Sequence, residues 1–286
     1  MRTITAHKVR GFISNTICHV VLAVLSVIWL LPIAWLVMHS FRADPGAFPR
    51  YIVPRNWTIQ NYVLLFTDTS VFNFPLWFRN TLKVAIFTCA ISTMINLMTS
   101  FALSRLRFKG RRPLMNMLLI IGMFPGIMSM LAVFHILNLV NLTQSLVGLT
   151  IVYTAGASMG FLITKGFFDM IPHSIDEAAI LDGASKNMLF WKITLPLSRP
   201  IITYTMIITF MGPWLDFMFA AILMRGDQSR FTVAVGLRMM IERETIGAFF
   251  TRFCAASVVV SIPLIVLFLF TQKNFVEGVT SGAAKG

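Results

Sequence analysis

The chain reads as an all-α integral membrane protein of six transmembrane helices, on its composition and on the length of its apolar runs. Hydrophobic residues fill 57% of 286 positions and charged residues 12%, about half the ~25% charged share of globular domains. Mean hydropathy is +0.78. So few polar side chains cannot cover that much apolar surface, and lipid is the default solvent. A hydrocarbon core of ~30 Å takes about 20 helical residues at ~1.5 Å rise. Six stretches have that length: 19–37, 81–103, 113–133, 146–167, 200–223 and 253–270. The period-2 alternation of a membrane barrel is absent, which leaves a helical bundle.

The elements follow in order. Arg2, Lys8 and Arg10 precede the first apolar run, as in a signal peptide. The run is longer than a signal h-region, and Ser40, Phe41 and Arg42 after it offer no small-x-small cleavage site. Residues 1–18 are therefore read as a cytoplasmic N-terminus and 19–37 as an uncleaved first span. Residues 38–78 form the main extracytoplasmic segment, with Pro45, Pro49, Pro54 and Pro75 among interfacial aromatics such as Trp57 and Trp77. Residues 79–271 make a five-helix core, and 272–286 a cytoplasmic tail. Residues 104–112 carry five basic side chains and no acid, while 134–145 on the opposite side carry none. That contrast puts 104–112, 169–199 and both termini in the cytoplasm.

The balance of 24 basic to 11 acidic residues gives +13. In a membrane chain this records basic flanks on spans, so no nucleic-acid partner is expected. Cys18, Cys89 and Cys254 lie scattered in apolar runs, and the five histidines lack metal-ligand spacing. No cofactor or metal is expected. Lys83 and Lys165 sit near span ends, where such side chains snorkel to headgroups. Gly-x4-Gly-Lys-Ser/Thr does not occur, so the chain is no ATPase.

One cytoplasmic segment, 171–196, is too apolar and too ordered for a connector. Ser174 and Glu177 have capping-box spacing, which predicts a helix start there. Asp176 and Glu177 suit the positive helix pole. Gly183 permits the left-handed turn that closes a helix. Ser185 caps a second helix, from Lys186 to about Thr194, that Pro196 ends. The two short helices would present Ile180, Leu181, Met188, Leu189, Phe190 and Trp191. Such an apolar knob needs a partner, either the bundle itself or another protein.

Glu177-Ala178-Ala179, three residues, Gly183, nine residues, then Ile193-x-Leu195-Pro196 resembles the EAA loop of the membrane subunits of ATP-binding-cassette (ABC) importers. Asn61-Tyr62-Val63, Asp182-Gly183-Ala184-Ser185 and residues 232–237 resemble the carbohydrate-uptake branch of that family. The tail, 278–286, is similar to the end of MalG-type subunits of maltose importers. The resemblance implies a type I ABC importer fold and a non-catalytic permease in a bacterial cytoplasmic membrane. It implies a heterodimer with a second, homologous permease, two copies of a cytoplasmic ATPase and an extracytoplasmic sugar-binding protein. The cargo would be a sugar, such as a maltodextrin or a galacto-oligosaccharide. Glu177, Ala178, Ala179, Gly183, Ile193, Leu195 and Pro196 would then belong to the coupling helix, with the apolar run Met188–Trp191, Met188 and Phe190 among it, filling a groove of the ATPase. The tail would reach between the two ATPase subunits, unless it is simply a frayed terminus.

In the fifth span Thr205, Thr209, Gly212 and Asp216 fall on one helical stripe, and such stripes face protein or a wet cavity. Pro213 predicts a kink. Trp214 could offer a ring to a sugar and Asp216 accept from its hydroxyls; equally, Asp216 could pair with a neighbouring subunit. Met123, Phe124, Pro125 and Gly126 break the third span in the same way. Two other classes compete. An ion-coupled secondary transporter also uses broken helices, but no internal repeat accompanies them here. An intramembrane enzyme needs a nucleophile with a base or paired carboxylates, and Asp216 is the one acid well inside a span.

Overall fold

A computed structural model describes the backbone of residues 2–47, 51–123 and 126–283. Side chains are described within 15–272 of these, 127 and 158 apart. Every extended element is helical: α1 (Arg2–Ser40), α2 (Gln60–Thr67), α3 (Phe74–Arg105), α4 (Arg111–Gly122), α5 (Gly126–Leu139), α6 (Leu146–Ala157), α7 (Phe161–Met170), α8 (His173–Leu181), α9 (Lys186–Met188), α10 (Leu195–Leu197), α11 (Arg199–Leu215), α12 (Met218–Leu223), α13 (Val233–Met240) and α14 (Ile246–Ala283).

Among the described residues three helices are long and apolar enough to cross a membrane: Asn15–Ser40, Phe74–Arg105 and Ile246–Gln272. Two bent pairs bring the number to five: α6 with α7, at 41°, and the stretch Lys186–Leu197 with α11, at 83°. The remaining expected span, 113–133, is divided between α4 and α5. The break expected there falls on Phe124 and Pro125, which lie outside the described residues. Residues 200–223 do not form one helix. The chain leaves helical geometry at Asp216 (ψ 112°) and re-enters it in α12. The backbone of α14 stays helical to Ala283; residues 284–286 lie outside the described residues.

Two compact units divide the chain: Met1–Asp68 with Met240–Val259, and Thr69–Met239 with Val260–Gly286. In the first, the most apolar 18-residue window of α1 holds no buried residue, as suits a helix that faces lipid. Its end is held by the motif that begins α2. Asn61 donates to the carbonyls of Ser40 and Arg42 at 2.9 and 2.8 Å, and Tyr62 bonds to Ser40 at 2.7 Å. Buried carbonyls past a helix end need such donors.

In the second unit α3 is the central post. Two polar stripes run along it at helical spacing. Ser92, Ser100 and Ser104 donate to the Thr154 carbonyl (3.4 Å), the Phe161 carbonyl (3.0 Å) and Asp169 (2.5 Å). Cys89 and Thr93 face the Met206 carbonyl (3.4 Å) and the Thr209 hydroxyl (3.3 Å) on α11. Small polar residues let membrane helices approach closely and bond across the contact. At the other end of α3, Trp77 is fully buried. It donates to the Gln228 carbonyl at 3.0 Å, and a Cβ on Gly236 would overlap its ring. Lys165, expected at the headgroups, instead pairs with Asp169 one turn on, at 2.5 Å.

Candidate functional site

The segment 171–198 folds as an elbow of short helices. Helix α8 starts one residue before the expected cap. Ser174 makes no capping bond, because Pro172 takes the N-cap position with extended ψ (132°) and its carbonyl accepts from Ile175 at 3.2 Å. The other end follows expectation. Gly183 has φ +85°, the Gly183 amide donates to the Ile180 carbonyl at 3.0 Å, and the Ala184 amide to Ala179 at 2.9 Å. These two bonds define a Schellman closure. Ala179 and Ala184 pack on the same buried cluster, which is the apolar contact that motif carries.

Ser185 caps the next helix, its hydroxyl accepting from the Met188 amide at 3.2 Å. Pro196 does not end that helix. The chain widens into a π-helical turn, Leu189–Thr194, then tightens into α10, which contains Pro196. In a regular helix the ring would clash with the carbonyl four residues back, and the wider turn relieves that overlap. The break comes at Ser198, where the chain bends by 83° into α11.

The bundle itself covers part of the apolar knob and leaves the rest exposed. Leu189 and Phe190 are buried in a cluster with Leu97, Phe101, Phe168 and Ile201, and Ile193 and Leu195 pack against it. The Phe190 ring lies 5.1 Å from that of Phe101. Phe190, expected to fill a groove in a partner, is therefore occupied by its own bundle: it lies on the inward side of the π-helical turn. Ile180, Leu181, Met188 and Trp191 stay exposed, Leu181 at 88%. Glu177, Ala178 and Pro196 are exposed beside them.

Asp176, read in the sequence only as complementing the helix pole, forms a buried ion pair. Its carboxylate lies 3.1 Å from Nη1 of Arg105, the last residue of α3, with the Arg105 side chain 3% exposed. Arg105 had been visible only as one of five charges in a basic loop.

On the membrane side, a cavity of about 690 Å3 opens between α3, α5, α6 and α11, lined by Thr88, Ser129, Tyr153, Thr209 and Gly212 among many apolar groups. Thr209 and Gly212 thus line it together. Thr205 and Thr209 are buried, each also bonding back to the carbonyl one turn earlier. Trp214 is not a lining residue. It is 3% exposed, with its ring 5.3 Å from Phe78 and 6.1 Å from Phe210. Asp216 has its partners within the chain: Tyr153 donates to Oδ2 at 2.7 Å and the Phe219 amide to Oδ1 at 3.2 Å. Tyr153, absent from the sequence reading, brings an aromatic ring and a hydroxyl to the cavity.

An all-helical membrane chain with an elbow of short helices and a cavity against its broken fifth span has, in class, the build of a transport component. Residues 95–280 match the model of the family described as binding-protein-dependent transport system inner membrane component, and the chain belongs to that family. It is 34% identical to the galactooligosaccharides transport system permease protein GanQ of Bacillus subtilis (strain 168), over 98% of each chain. It is 32% identical to the maltodextrin transport system permease protein MalD of Streptococcus pneumoniae (strain ATCC BAA-255 / R6), again over 98% of each. Among solved structures, a bacterial ABC transporter involved in import of the acidic polysaccharide alginate shares the fold, with TM-score 0.76 at 23% identity over 92% of this chain and 96% of that one.

Proposed function

We propose that this chain is the membrane-spanning permease subunit of an ATP-driven, binding-protein-dependent sugar importer, with an oligosaccharide such as a maltodextrin or a galacto-oligosaccharide as cargo. It pairs with a second, homologous permease to enclose the path. Two copies of a cytoplasmic ATPase drive the pair, and an extracytoplasmic binding protein delivers the sugar. The chain sits in a bacterial cytoplasmic membrane with both termini inside.

The single observation that carries this reading is the two-faced elbow. One face is built into the bundle through Phe190 and Asp176, while Ile180, Leu181, Met188 and Trp191 form an apolar face without cover among the described residues. Glu177 borders that face and contacts the docked ATPase. Closure of the two ATPases displaces the elbow as a body, because short helices locked by a Schellman closure and a serine cap transmit movement that a loose loop would absorb. The bend at Ser198 passes the displacement to α11, whose Thr209 and Gly212 line the cavity. The sugar moves along that wall, with Tyr153 presented by Asp216. The family names of GanQ and MalD support an oligosaccharide as cargo.

The test is co-purification with candidate ATPases, followed by ligand-stimulated ATP hydrolysis across a panel of oligosaccharides. Stimulation by one sugar class, lost when Leu181 and Met188 become Asp, is the expected result. Uptake that continues on a proton or sodium gradient after ATP depletion would overturn it.

A further inference from the structure

We infer that Arg105 is the positioning residue that makes the elbow move as one body with α3 and α7, an inference that rests on the coupling reading above. Its guanidinium sits where three helix ends meet. Nη1 lies 3.1 Å from the Asp176 carboxylate in the first turn of α8, and 2.8 Å from Nδ1 of His173. Nη2 donates to the carbonyls of Phe168 and Ile171, each at 2.7 Å, at the end of α7.

The last carbonyls of a helix lack partners and form its negative pole. One cation at the end of α3 therefore satisfies the end of α7 and the acid that opens α8. This needs the planar fork of arginine. A lysine ammonium is a point charge that can hold the carboxylate but cannot span the same set of acceptors in one fixed geometry. Next to it, Ser104 bonds to Asp169 at 2.5 Å, which fixes α3 to α7 a second time, while Lys165 holds the same carboxylate from within α7. Asp169 does not reach α8 in these bonds. The link from the pair α3–α7 to the elbow thus runs through Arg105, alongside the packing of Phe190. Nε of Arg105 is buried with no bonding partner among the described residues. An arginine enclosed to that degree is built in, unlike a solvated basic flank.

A merely structural arginine would affect yield and thermal stability only. A positioning arginine also sets how much sugar moves per ATP. The experiment reconstitutes the full complex in liposomes with Arg105→Gln, Arg105→Lys and Asp176→Asn, offering maltotriose and galactotriose with the binding protein. It reads ATPase retained, ATP hydrolysed and sugar taken up. Arg105→Gln is expected to retain the ATPase and hydrolyse ATP while uptake per ATP falls by roughly tenfold or more, as misplacement far from a reacting centre can cost. Asp176→Asn should lose less, because both carbonyl bonds remain, and Arg105→Lys should fall between wild type and Arg105→Gln. Wild-type uptake per ATP in an assembled Arg105→Gln complex overturns the inference. If that variant fails to assemble, an undiminished ratio in Asp176→Asn overturns it instead. A wild-type complex that holds no ATPase sinks the docking reading, and this inference with it.

Discussion

The hydroxyl of Tyr153 donates to the carboxylate of Asp216 at 2.7 Å, joining α6 to the point where α11 breaks, across 63 positions of sequence. Asp216 also accepts from the Phe219 amide, so one carboxylate both ties α6 to the end of α11 and anchors the turn into α12. Tyr153→Phe removes the first bond and leaves the second. The expected loss is about 1 kcal/mol, the scale of interhelical bonds in membrane proteins, read as a lower Tm in detergent. An unchanged Tm would show the bond to be dispensable to the fold.

Gly183 takes φ +85°, and a Cβ there would meet nothing within 4 Å. Substitution is therefore opposed by backbone strain alone, about 1–2 kcal/mol. Gly183→Asp is expected to fold and to couple poorly, and Gly183→Val to be worse, because β-branched side chains are the least tolerant of positive φ. Transport assays at matched expression check the order; equal coupling across glycine, aspartate and valine would contradict it.

Phe190 and Met188 stand two residues apart, one buried in the bundle and the other exposed. Phe190→Ala opens a hole in the cluster with Phe101 and Leu97 and should destabilise by about 3–5 kcal/mol. Met188→Ala, at a side chain 42% exposed, should leave Tm nearly unchanged while weakening retention of the ATPase. A thermal melt beside a pull-down separates the two.

Gly236 and Gly212 form a second contrast. A Cβ at 236 would overlap the buried Trp77 ring, whereas at 212 nothing lies within 4 Å. Gly236→Ala should lose about 1–3 kcal/mol by overpacking and Gly212→Ala very little, with Tm as the readout. Any transport defect in Gly212→Ala would then report on the cavity that this residue lines.

The loop before α13 should respond to acid. Hydrogen bonds from the Ser229 hydroxyl and amide, with the Arg230 guanidinium adding to them, hold the Asp227 carboxyl below its ordinary value of 3.8. A depressed carboxyl stabilises the fold fully above its unfolded pKa, and that contribution is lost as pH falls through the lower folded value. Amide exchange at Ser229, corrected for intrinsic rates, should therefore rise as pH drops below about 3.8. Asp227→Asn should flatten the dependence, and an unaltered profile in that variant would assign it to another group.

What was legible in the sequence was decided over a few residues. Span length depends on the bilayer, so the long apolar runs marked α1, α3 and α14 directly. The αL turn at Gly183 and the cap at Ser185 are settled within one helical turn, and both appear where expected. Local signals failed where a local competitor was stronger. Pro172 displaced Ser174 as the cap, and a π-helical turn carried the chain through Pro196.

The sequence alone thus determined an all-helical membrane chain, an elbow of short helices turning at Gly183 and membership of a transport family. Only the tertiary structure decided which side of the elbow is occupied, that Trp214 is enclosed while Tyr153 lines the cavity, and that Arg105 holds Asp176. The physical reason is range. Helical geometry and burial in lipid are properties of contiguous residues, while a side chain's partner depends on which helices pack together, and a one-dimensional pattern of charge and apolarity does not carry that pairing.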